Sequence, residues 1–557
     1  MASSSASLTQ QEPTIAWAGL CLVFLTPALG GFIYGYDIGA TSFVLSILSK
    51  GGSRSSRIGK LSGSHQHFQH HLHDSHNESV GVHDFDYWWK DFDQHQWQQG
   101  LTVAAVSAGA LIGSHIVLCY LSAVCSRRTE LRIAAALYLV GAACNVLSGT
   151  VLAHNTNTVT SISAGWLALL TGRLLTGVGV GFSMHGAPTY MVEMAPSTVR
   201  GAIVSAKEAV IVLGILMGYF AGDIMSLSTS SVSSNQWVHL YAISFCMAIP
   251  MFILTFFIPR SKRWLLMHGM RKEAEESMRF VYNGNIRPDF DKMVASIEAN
   301  RFHKQPSLHS TAGSSQTELG RLFSPRSRPA LTAAMGLIAL QQFSGQPSII
   351  SYATLLFDAA GWNGHVTVVM AILMLVVSST TVALVDRVGR KRLLLTCCAV
   401  LLISLLTLSC SFWNWQRGVP HQFGAFEKNL ILVAMFAYIG GYQIGFGPIT
   451  WLVVSEVFPL EVRGAATALG VELNYLLQFL VQFLVPMIQD RLGWGPTFGL
   501  FAGSMLFAGF FVHHYVPETS GLTLEQIEDQ LTTTSGRDGS DNTALVVSLS
   551  SEQSPLL

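Results

Sequence analysis

The sequence predicts an all-α membrane protein with twelve membrane-spanning helices in two sets of six. Only 12% of the 557 residues are charged and 50% are hydrophobic, whereas a soluble domain carries about 25% charged residues. Runs of roughly 20 apolar residues, the length that crosses a bilayer, recur along the chain. One motif in the first set of runs returns in the second set, which indicates a duplicated architecture.

Hydropathy places the predicted spans. The first six are 17–41, 100–121, 130–153, 163–187, 199–222 and 237–259. The second six are 329–357, 365–386, 391–412, 429–456, 463–488 and 493–515. The two six-helix bundles are therefore 17–259 and 329–515. Around them lie an N-terminal segment 1–16, a polar loop 50–97, a linker 260–328 and a tail 516–557.

The two ends of the chain differ from the apolar core. No basic segment precedes the first apolar run, so we interpret this run as a retained helix rather than a cleaved signal peptide. The last part of the tail is rich in Ser, Thr and Asp, a composition that is typical of disorder.

The distribution of Lys and Arg predicts that both termini are cytoplasmic. The linker 260–328 and the turns after spans two and eight are rich in basic residues and fall on one side. The loops 154–162, 223–236 and 358–364 contain no Lys or Arg and fall on the other side. Basic residues concentrate on the cytoplasmic side of membrane proteins. The loop 50–97 is an exception, because it carries basic residues on the predicted outer side.

Three features of the sequence indicate which ligands to expect: the loop 50–97, the cysteines and the net charge. The loop is rich in histidine; metal capture and a solvated loop are the two interpretations, and we predict no metal site and no cofactor. Asn77 begins a glycosylation sequon on the predicted outer side. The 8 cysteines lie in or beside apolar runs, which is typical of small buried hydrophobic residues. A net charge of +0 gives no basic field to attract nucleic acid.

A repeated motif relates the two halves of the chain. The segment from Glu193 to Arg200 and Gly201 matches the segment from Glu456 to Arg463 and Gly464 at an offset of 263 residues. The same offset brings Arg127-Arg128 onto Arg390-Lys391. Parallel six-helix repeats describe one transporter architecture, in which the substrate binds between the halves near the middle of the membrane.

An acidic residue lies within the first apolar run. Asp37 falls inside the segment Gly35-Tyr36-Asp37-Ile38-Gly39, where burying a carboxylate in the bilayer costs about 2.5–3.5 kcal/mol on insertion scales. Such residues usually face a water-filled cavity or a partner and mark an ion or proton path. The alternative is an acid at the membrane interface.

Several motifs together resemble the sugar porter family of the major facilitator superfamily, over residues from about 15 to 530. The details are most similar to its plant-type D-xylose–proton-symporter-like and vacuolar glucose transporter branch. The motifs that carry the resemblance are Gly35-Tyr36-Asp37, Gly172-Arg173, Glu193 with Arg200-Gly201, Gln341-Gln342 with Gly345, the segment from Asp386 to Arg392, Glu456 to Pro459 with Arg463-Gly464, and Pro517-Glu518-Thr519.

The resemblance implies a role for three groups of residues. Asp37 and Arg173, on helices one and four, would form the proton-coupling pair; a purely structural pair is the alternative. The residues implied in sugar binding are Glu208, Gln341, Gln342, Gln346, Trp451 and Asn474. The residues implied in an inner gating network are Glu193, Arg200, Asp386, Arg390, Glu456 and Arg463. The alternatives are helix–helix hydrogen bonds for the amides and a solvated turn for the charges.

The chain departs from the family pattern at three positions. Pro347 stands where many relatives have an asparagine that binds sugar, and it should kink helix seven. Ala123 stands opposite Asp386 at the 263-residue offset, where the usual aspartate is missing. Arg260 replaces a glutamate. These departures leave the identity of the sugar and the symmetry of the gating network open.

The predicted function is proton-coupled symport of a monosaccharide, such as glucose or xylose, by alternating access. A facilitative uniporter, an inositol-type polyol carrier and a transporter-like sugar sensor are the alternatives. No nucleophile–base pair, metal-ligand cluster or Walker A motif is found in the sequence, so we predict no enzyme activity.

The expected partners are a monosaccharide, a proton and the lipid bilayer, with no nucleic acid, and the expected state is a monomer. Glu552 with Leu556 and Leu557 fits an acidic dileucine signal for a sorting adaptor. The expected location is the plasma membrane or a vacuolar or endosomal membrane, between which the sequence does not decide.

Overall fold

In this computed structural model the structure describes residues 14–65, 89, 92, 95–121, 124–151, 163–196, 199–227, 236–304, 320, 322–325, 327–362, 364–413, 423–458, 462–519 and 526. Of residues 50–65, 200–202, 204–205, 299–304, 382–383 and 386 it describes the backbone alone. The predictions for Asn77, Ala123, most of loop 50–97 and the sorting signal at Glu552, Leu556 and Leu557 lie outside the described residues.

The first half contains six long helices. They are α1 (Trp17–His65), α2 (Gln96–Ile116), α3 (Arg127–Gly149), α4 (Ala164–Met194), α5 (Arg200–Leu227) and α6 (Gln236–Phe257). A π-helical turn, Val117–Leu121, extends α2. The helix α1 continues well past its predicted end at residue 41, so the first part of the predicted loop 50–97 is helical.

The linker between the halves is also helical. It contains α7 (Lys262–Met267), α8 (Arg271–Arg279) and α9 (Arg287–Lys304). The strand β1 (Thr14–Ile15) pairs antiparallel with β2 (Tyr282–Asn283), which ties the start of α1 to the linker. We call this end of the bundle the linker end, and the opposite end, toward which α1 runs, the loop end.

The second half repeats the six-span plan with two broken helices. The seventh span consists of α10 (Arg328–Phe343), α11 (Gln346–Ser351) and α12 (Ala353–Ala359). The eighth and ninth spans are α13 (His365–Val388) and α14 (Arg390–Phe412). The tenth consists of α15 (Ala425–Ile444) and α16 (Phe446–Glu456). The last two are α17 (Arg463–Leu492) and α18 (Trp494–Tyr515).

Glycine, rather than proline alone, breaks the seventh span. Gly345 has φ +85°, a left-handed conformation that side chains other than glycine rarely adopt. A Cβ atom there would lie 2.5 Å from the ring of Phe501. Pro347 follows in the first turn of α11, where its missing N–H leaves no helical hydrogen bond unmade. The predicted kink is therefore present, but it begins two residues before Pro347.

Hydropathy accounts for ten of the twelve predicted spans. Among the described residues, ten helical segments are long and apolar enough to cross a membrane. They correspond to spans one to six and nine to twelve. The seventh span is broken into α10, α11 and α12, and α13 has a shorter apolar stretch, His365–Thr381. The fold prediction of an all-α, multi-pass membrane protein is confirmed.

Glycines allow α1 and α5 to lie against each other near the candidate site. A Cβ atom at Gly35 would be 2.0 Å from the carbonyl oxygen of Ile211, and one at Gly214 would be 2.2 Å from that of Phe32. Small residues at such positions let membrane helices approach closely. This packing fixes the segment of α1 that carries Asp37.

Candidate functional site

Asp37 and Arg173 meet inside the first half, as their places on α1 and α4 predict. The side chains are 4% and 2% exposed, and Arg173 Nη2 lies 3.5 Å from Asp37 Oδ2. Arg173 is nine residues into α4, so the pair lies about 14 Å below the loop end of that helix. A charged pair at this depth is expensive unless its members satisfy each other and their remaining polar atoms.

Other groups complete the coordination of Arg173. Its Nη1 atom donates to Thr41 Oγ1 at 2.8 Å and to Tyr241 Oη at 2.9 Å, and its Nε atom donates to the carbonyl oxygen of Thr102. These partners lie on α1, α6 and α2. The guanidinium therefore joins four helices of the first half, and a change in the charge of Asp37 would act on all of them.

Gln341 and Gln342 are buried at the end of α10, each 4% exposed. Gln341 Nε2 donates to Tyr442 Oη at 3.1 Å and to the carbonyl oxygen of Phe446 at 2.7 Å. Gln342 Nε2 donates to Asn474 Oδ1 at 2.6 Å. The Oε1 atoms of both glutamines are buried and accept no hydrogen bond from any described residue. The fold therefore brings together three of the predicted sugar ligands, Gln341, Gln342 and Asn474. It leaves the two Oε1 atoms free to accept a hydrogen bond.

The remaining predicted sugar ligands are more accessible. Gln346 and Trp451 are half-buried on α11 and α16. The side chain of Glu208 is 58% exposed and forms an ion pair with Lys207 at 3.1 Å. Its carboxylate lies within electrostatic range of phenol groups on α1, α15 and α17, those of Tyr34, Tyr442 and Tyr475. Glu208 is therefore an exposed carboxylate that lies within electrostatic range of both halves.

One feature of α17 was missed in the sequence. Asn474, Gln478 and Gln482 recur every four residues and so share one face of the helix. Gln478 Nε2 donates to Tyr34 Oη at 3.3 Å, and Gln482 Oε1 accepts from Ser107 Oγ at 2.7 Å. Both contacts cross from the second half to the first. Three amides at this spacing in an apolar helix were a signal that could have been recognised.

The predicted gating residues form a pair in the second half. Arg390 Nη2 donates to Glu456 Oε1 at 3.1 Å, and Thr519 Oγ1 donates to Glu456 Oε2 at 2.5 Å. Glu518 accepts from the backbone N–H groups of Arg390 and Lys391. The Pro-Glu-Thr motif after α18 thus closes over the pair.

Arg463 is not part of this pair. Its guanidinium donates to the carbonyl oxygen of Phe458, at 3.2 and 3.0 Å, and so caps its own turn. Arg200 and Asp386 are described in their backbone alone, so the structure does not test where their side chains lie.

The equivalent residues of the first half form different ion pairs. The offset of 263 residues places Arg127 and Glu193 where the second half has Arg390 and Glu456, but Arg127 Nη1 pairs instead with Glu130 Oε1 at 2.6 Å. His185 Nδ1 lies 3.2 Å from Glu130 Oε2. The Oε2 atom of Glu193 is buried and accepts no hydrogen bond from a described residue. Glu130, fully buried, is a functional candidate that the repeat could not reveal, because the second half has Leu393 there.

Polar contacts join the two halves near the loop end. Ser42 Oγ lies 2.9 Å from Thr354 Oγ1, and Ser46 Oγ donates to Asp358 Oδ2 at 2.8 Å. Tyr219 Oη donates to the carbonyl oxygen of Ile350 at 2.8 Å. Two contacts between a histidine and a carboxylate also cross, and each is an ion pair when the histidine is protonated. His365 lies 2.6 Å from Asp223 near the loop end, and His115, in the last turn of α2 toward the linker end, lies 2.9 Å from Glu472. The loop end is therefore closed.

Comparison with known proteins agrees with this architecture. The "D-xylose-proton symporter-like 3, chloroplastic" protein of Arabidopsis thaliana is 33% identical over 538 residues, which cover 94% of this chain and 85% of that protein. "D-xylose-proton symporter-like 2" from the same plant is 34% identical over 521 residues, covering 91% of this chain and 90% of that protein.

A solved structure has the same fold. The inward-open form of the xylose transporter XylE from E. coli superposes with a TM-score of 0.68 at 22% identity, covering 92% of this chain and 99% of that one. The sequence model for the family described as "Sugar (and other) transporter" matches residues 23–531. The chain belongs to this sugar transporter family and has its twelve-helix major facilitator fold.

Proposed function

We propose that this protein is a proton-coupled monosaccharide symporter that works by alternating access. The observation that carries the proposal is the ion pair of Asp37 and Arg173, buried at membrane depth in a chain whose relatives are named D-xylose-proton symporter-like. Members of this family are transporters rather than enzymes. The chemistry needed is binding, release and a change of conformation.

Protonation of Asp37 would couple the proton to the movement of the helices. The ionised carboxylate attracts Arg173, whereas the neutral acid keeps only a hydrogen bond. Arg173 contacts α1, α2 and α6, so weakening its bond to Asp37 changes the packing of the whole first half. A ligand shifts such an equilibrium by its difference in affinity for the two states.

The open amide oxygens supply the chemistry for a neutral sugar. The Oε1 atoms of Gln341 and Gln342 could each accept a hydrogen bond from a sugar hydroxyl, which would remove the cost of two unpaired buried acceptors. The half-buried indole of Trp451 offers an apolar face against which the C–H groups of a sugar could stack. Gln346, Asn474 and Glu208 would contribute further polar contacts.

The positive-inside rule orients the cycle. Arg127, Arg390, Lys391 and the basic linker lie at the linker end, so this end would face the cytoplasm, together with both termini. The loop end, which is closed here, would then face outward or toward a lumen. We infer that the structure is in an inward-facing state, from which sugar and proton leave to the cytoplasm. The membrane concerned would be the plasma membrane or a vacuolar or endosomal membrane.

Transport in proteoliposomes tests the proposal. Labelled glucose and xylose are offered to the purified protein with and without an inward proton gradient, comparing wild type with Asp37→Asn. We expect the wild type to accumulate one of the sugars above equilibrium only with the gradient, and the variant to exchange sugar without accumulating it.

The matched control is Asp291→Asn, because Asp291 forms an exposed pair with Arg271 in the linker and exposed pairs contribute little. It should behave as wild type. Accumulation that persists in Asp37→Asn would refute Asp37 as the coupling site. Equilibration without accumulation by the wild type would identify a uniporter instead.

A further inference from the structure

A histidine and an aspartate form a tight contact across the two halves at the loop end. His365 Nδ1 lies 2.6 Å from Asp223 Oδ2. Asp223 stands near the end of α5, and His365 is the first residue of α13. The carboxylate side chain is 9% exposed and the imidazole 56% exposed. The imidazole can therefore exchange protons with solvent while the acid is held in place.

The carboxylate also lies close to the start of α13. A Cβ atom on Gly364 would lie 3.1 Å from Asp223 Oδ1 and 3.1 Å from the ring of Phe43. Asp223 therefore sits over the first turn of α13, where the unpaired backbone N–H groups favour a negative charge. The ring of Phe43, on α1, lies close to the same glycine and to Gly222, the residue before Asp223. Three elements, α1, α5 and α13, therefore meet at this contact.

The contact can exist only while the loop end is closed. Asp223 belongs to the first half and His365 to the second, and the neighbouring contacts of Ser42 with Thr354 and Ser46 with Asp358 cross the same seam. Opening this end separates α5 from α13 and breaks the pair. Of these contacts, this is the one that contains an imidazole, the type of side chain that serves most often as a pH switch in proteins.

We propose that Asp223 and His365 form a proton-sensitive latch that holds the loop end closed. The inference rests on the proposed alternating-access cycle. With His365 protonated, the pair is an imidazolium–carboxylate ion pair; with it neutral, only a hydrogen bond remains. Acid on the loop side therefore stabilises the closed loop end, and raising the pH weakens it. This site is separate from Asp37, which lies deeper and on other helices.

Two other charged groups, Asp358 and Lys428, lie near the latch. Asp358, on α12, accepts from Ser46. The Nζ atom of Lys428, on α15, lies against Gly361, four residues before His365. Neither of these groups is an imidazole, so we assign a response between pH 5.5 and 7.5 to a histidine.

The reactivity of a cysteine introduced beneath the seam tests the latch without measuring transport. Thr354 is 3% exposed beneath the seam, so Thr354→Cys should react with a membrane-impermeant maleimide only when the loop end opens. Mass spectrometry of the peptide that contains residue 354 measures the rate of maleimide modification. This rate is corrected for the effect of pH on thiol ionisation. We expect it to rise about three- to fivefold from pH 5.5 to 7.5, the change expected when a partly exposed ion pair is lost.

The variants decide whether His365 is responsible. His365→Gln should remove the pH response, and Asp223→Asn should give a high rate at both pH values. The matched control is His239→Gln, because His239 is an exposed imidazole on α6 near the same end; it should keep the response. The exchanged pair, Asp223→His with His365→Asp, should restore it.

The outcomes separate the latch from the proposed function. An unchanged pH response in His365→Gln, or a rate at pH 5.5 in Asp223→Asn that equals the wild-type rate at pH 5.5, overturns the latch. Asp37→Asn should keep the pH response of Thr354→Cys, and a loss of the response there would assign it to the coupling site instead. Absence of sugar flux in proteoliposomes would count against the transport proposal without altering these rates.

Discussion

At the scale of residues, burial and bonding separate side chains that the sequence groups together. Gln341 and Gln342 resemble each other in sequence and both are buried, yet each donates to a different helix and leaves its acceptor oxygen open. The sequence predicts Asp37 and Arg173 because charges are rare in apolar runs. It could not predict Glu130, because the choice of Arg127 for Glu130 rather than Glu193 depends on packing between α3 and α4.

The open acceptor of Gln342 gives a prediction for sugar affinity. Gln342→Ala removes the acceptor and frees Asn474, so we expect the apparent affinity for sugar to fall about 10- to 100-fold, which corresponds to roughly 1–3 kcal/mol for a buried polar contact. Counterflow of labelled sugar measures it. Gln489→Ala is the control, because Gln489 is a buried amide about 22 Å along α17 from Asn474. If Gln342→Ala and Gln489→Ala had equal apparent affinities for sugar, Gln342 would not be part of the sugar site.

At the scale of elements, hydropathy predicts where helices lie but not where they break. All twelve spans contain helices, because the bilayer demands apolar segments whose backbone groups are paired internally. The break at Gly345 depends on a positive φ and on the neighbouring ring of Phe501, neither of which an apolar pattern contains. The pairing of β1 with β2 joins residues far apart in the chain, so no local pattern predicts it.

The break in the seventh span can be tested by adding one methyl group. Gly345→Ala should lower the melting temperature in detergent, because alanine is strained at φ +85° and its Cβ atom would meet Phe501. We expect a cost of about 1–3 kcal/mol from the backbone strain. Gly440→Ala, on α15, is the control, since a Cβ atom there would meet no described residue within 4 Å and alanine favours a helix. A variant at Gly345 as stable as wild type would contradict this account.

At the scale of the whole molecule, sequence duplication predicts two similar bundles but not how they meet. The contacts across the seam pair residues that the 263-residue offset does not relate, such as Ser107 with Gln482 and Tyr219 with Ile350. They depend on the conformational state, because rocking the halves must break those at the loop end. A sequence encodes every state of such a cycle at once, so one state's contacts cannot be extracted from it.

A disulfide across the loop end tests whether this rocking is required for transport. Ser42 Oγ and Thr354 Oγ1 are 2.9 Å apart on opposite halves, a separation that brings the Cβ atoms near the range a disulfide needs. Under oxidation, Ser42→Cys with Thr354→Cys should lock the loop end and abolish sugar flux, because substrate could no longer enter from that side. Reduction should restore the flux, and each single variant should transport under both conditions. Full flux through the crosslinked protein would mean that the loop end need not open, which would overturn alternating access for this chain.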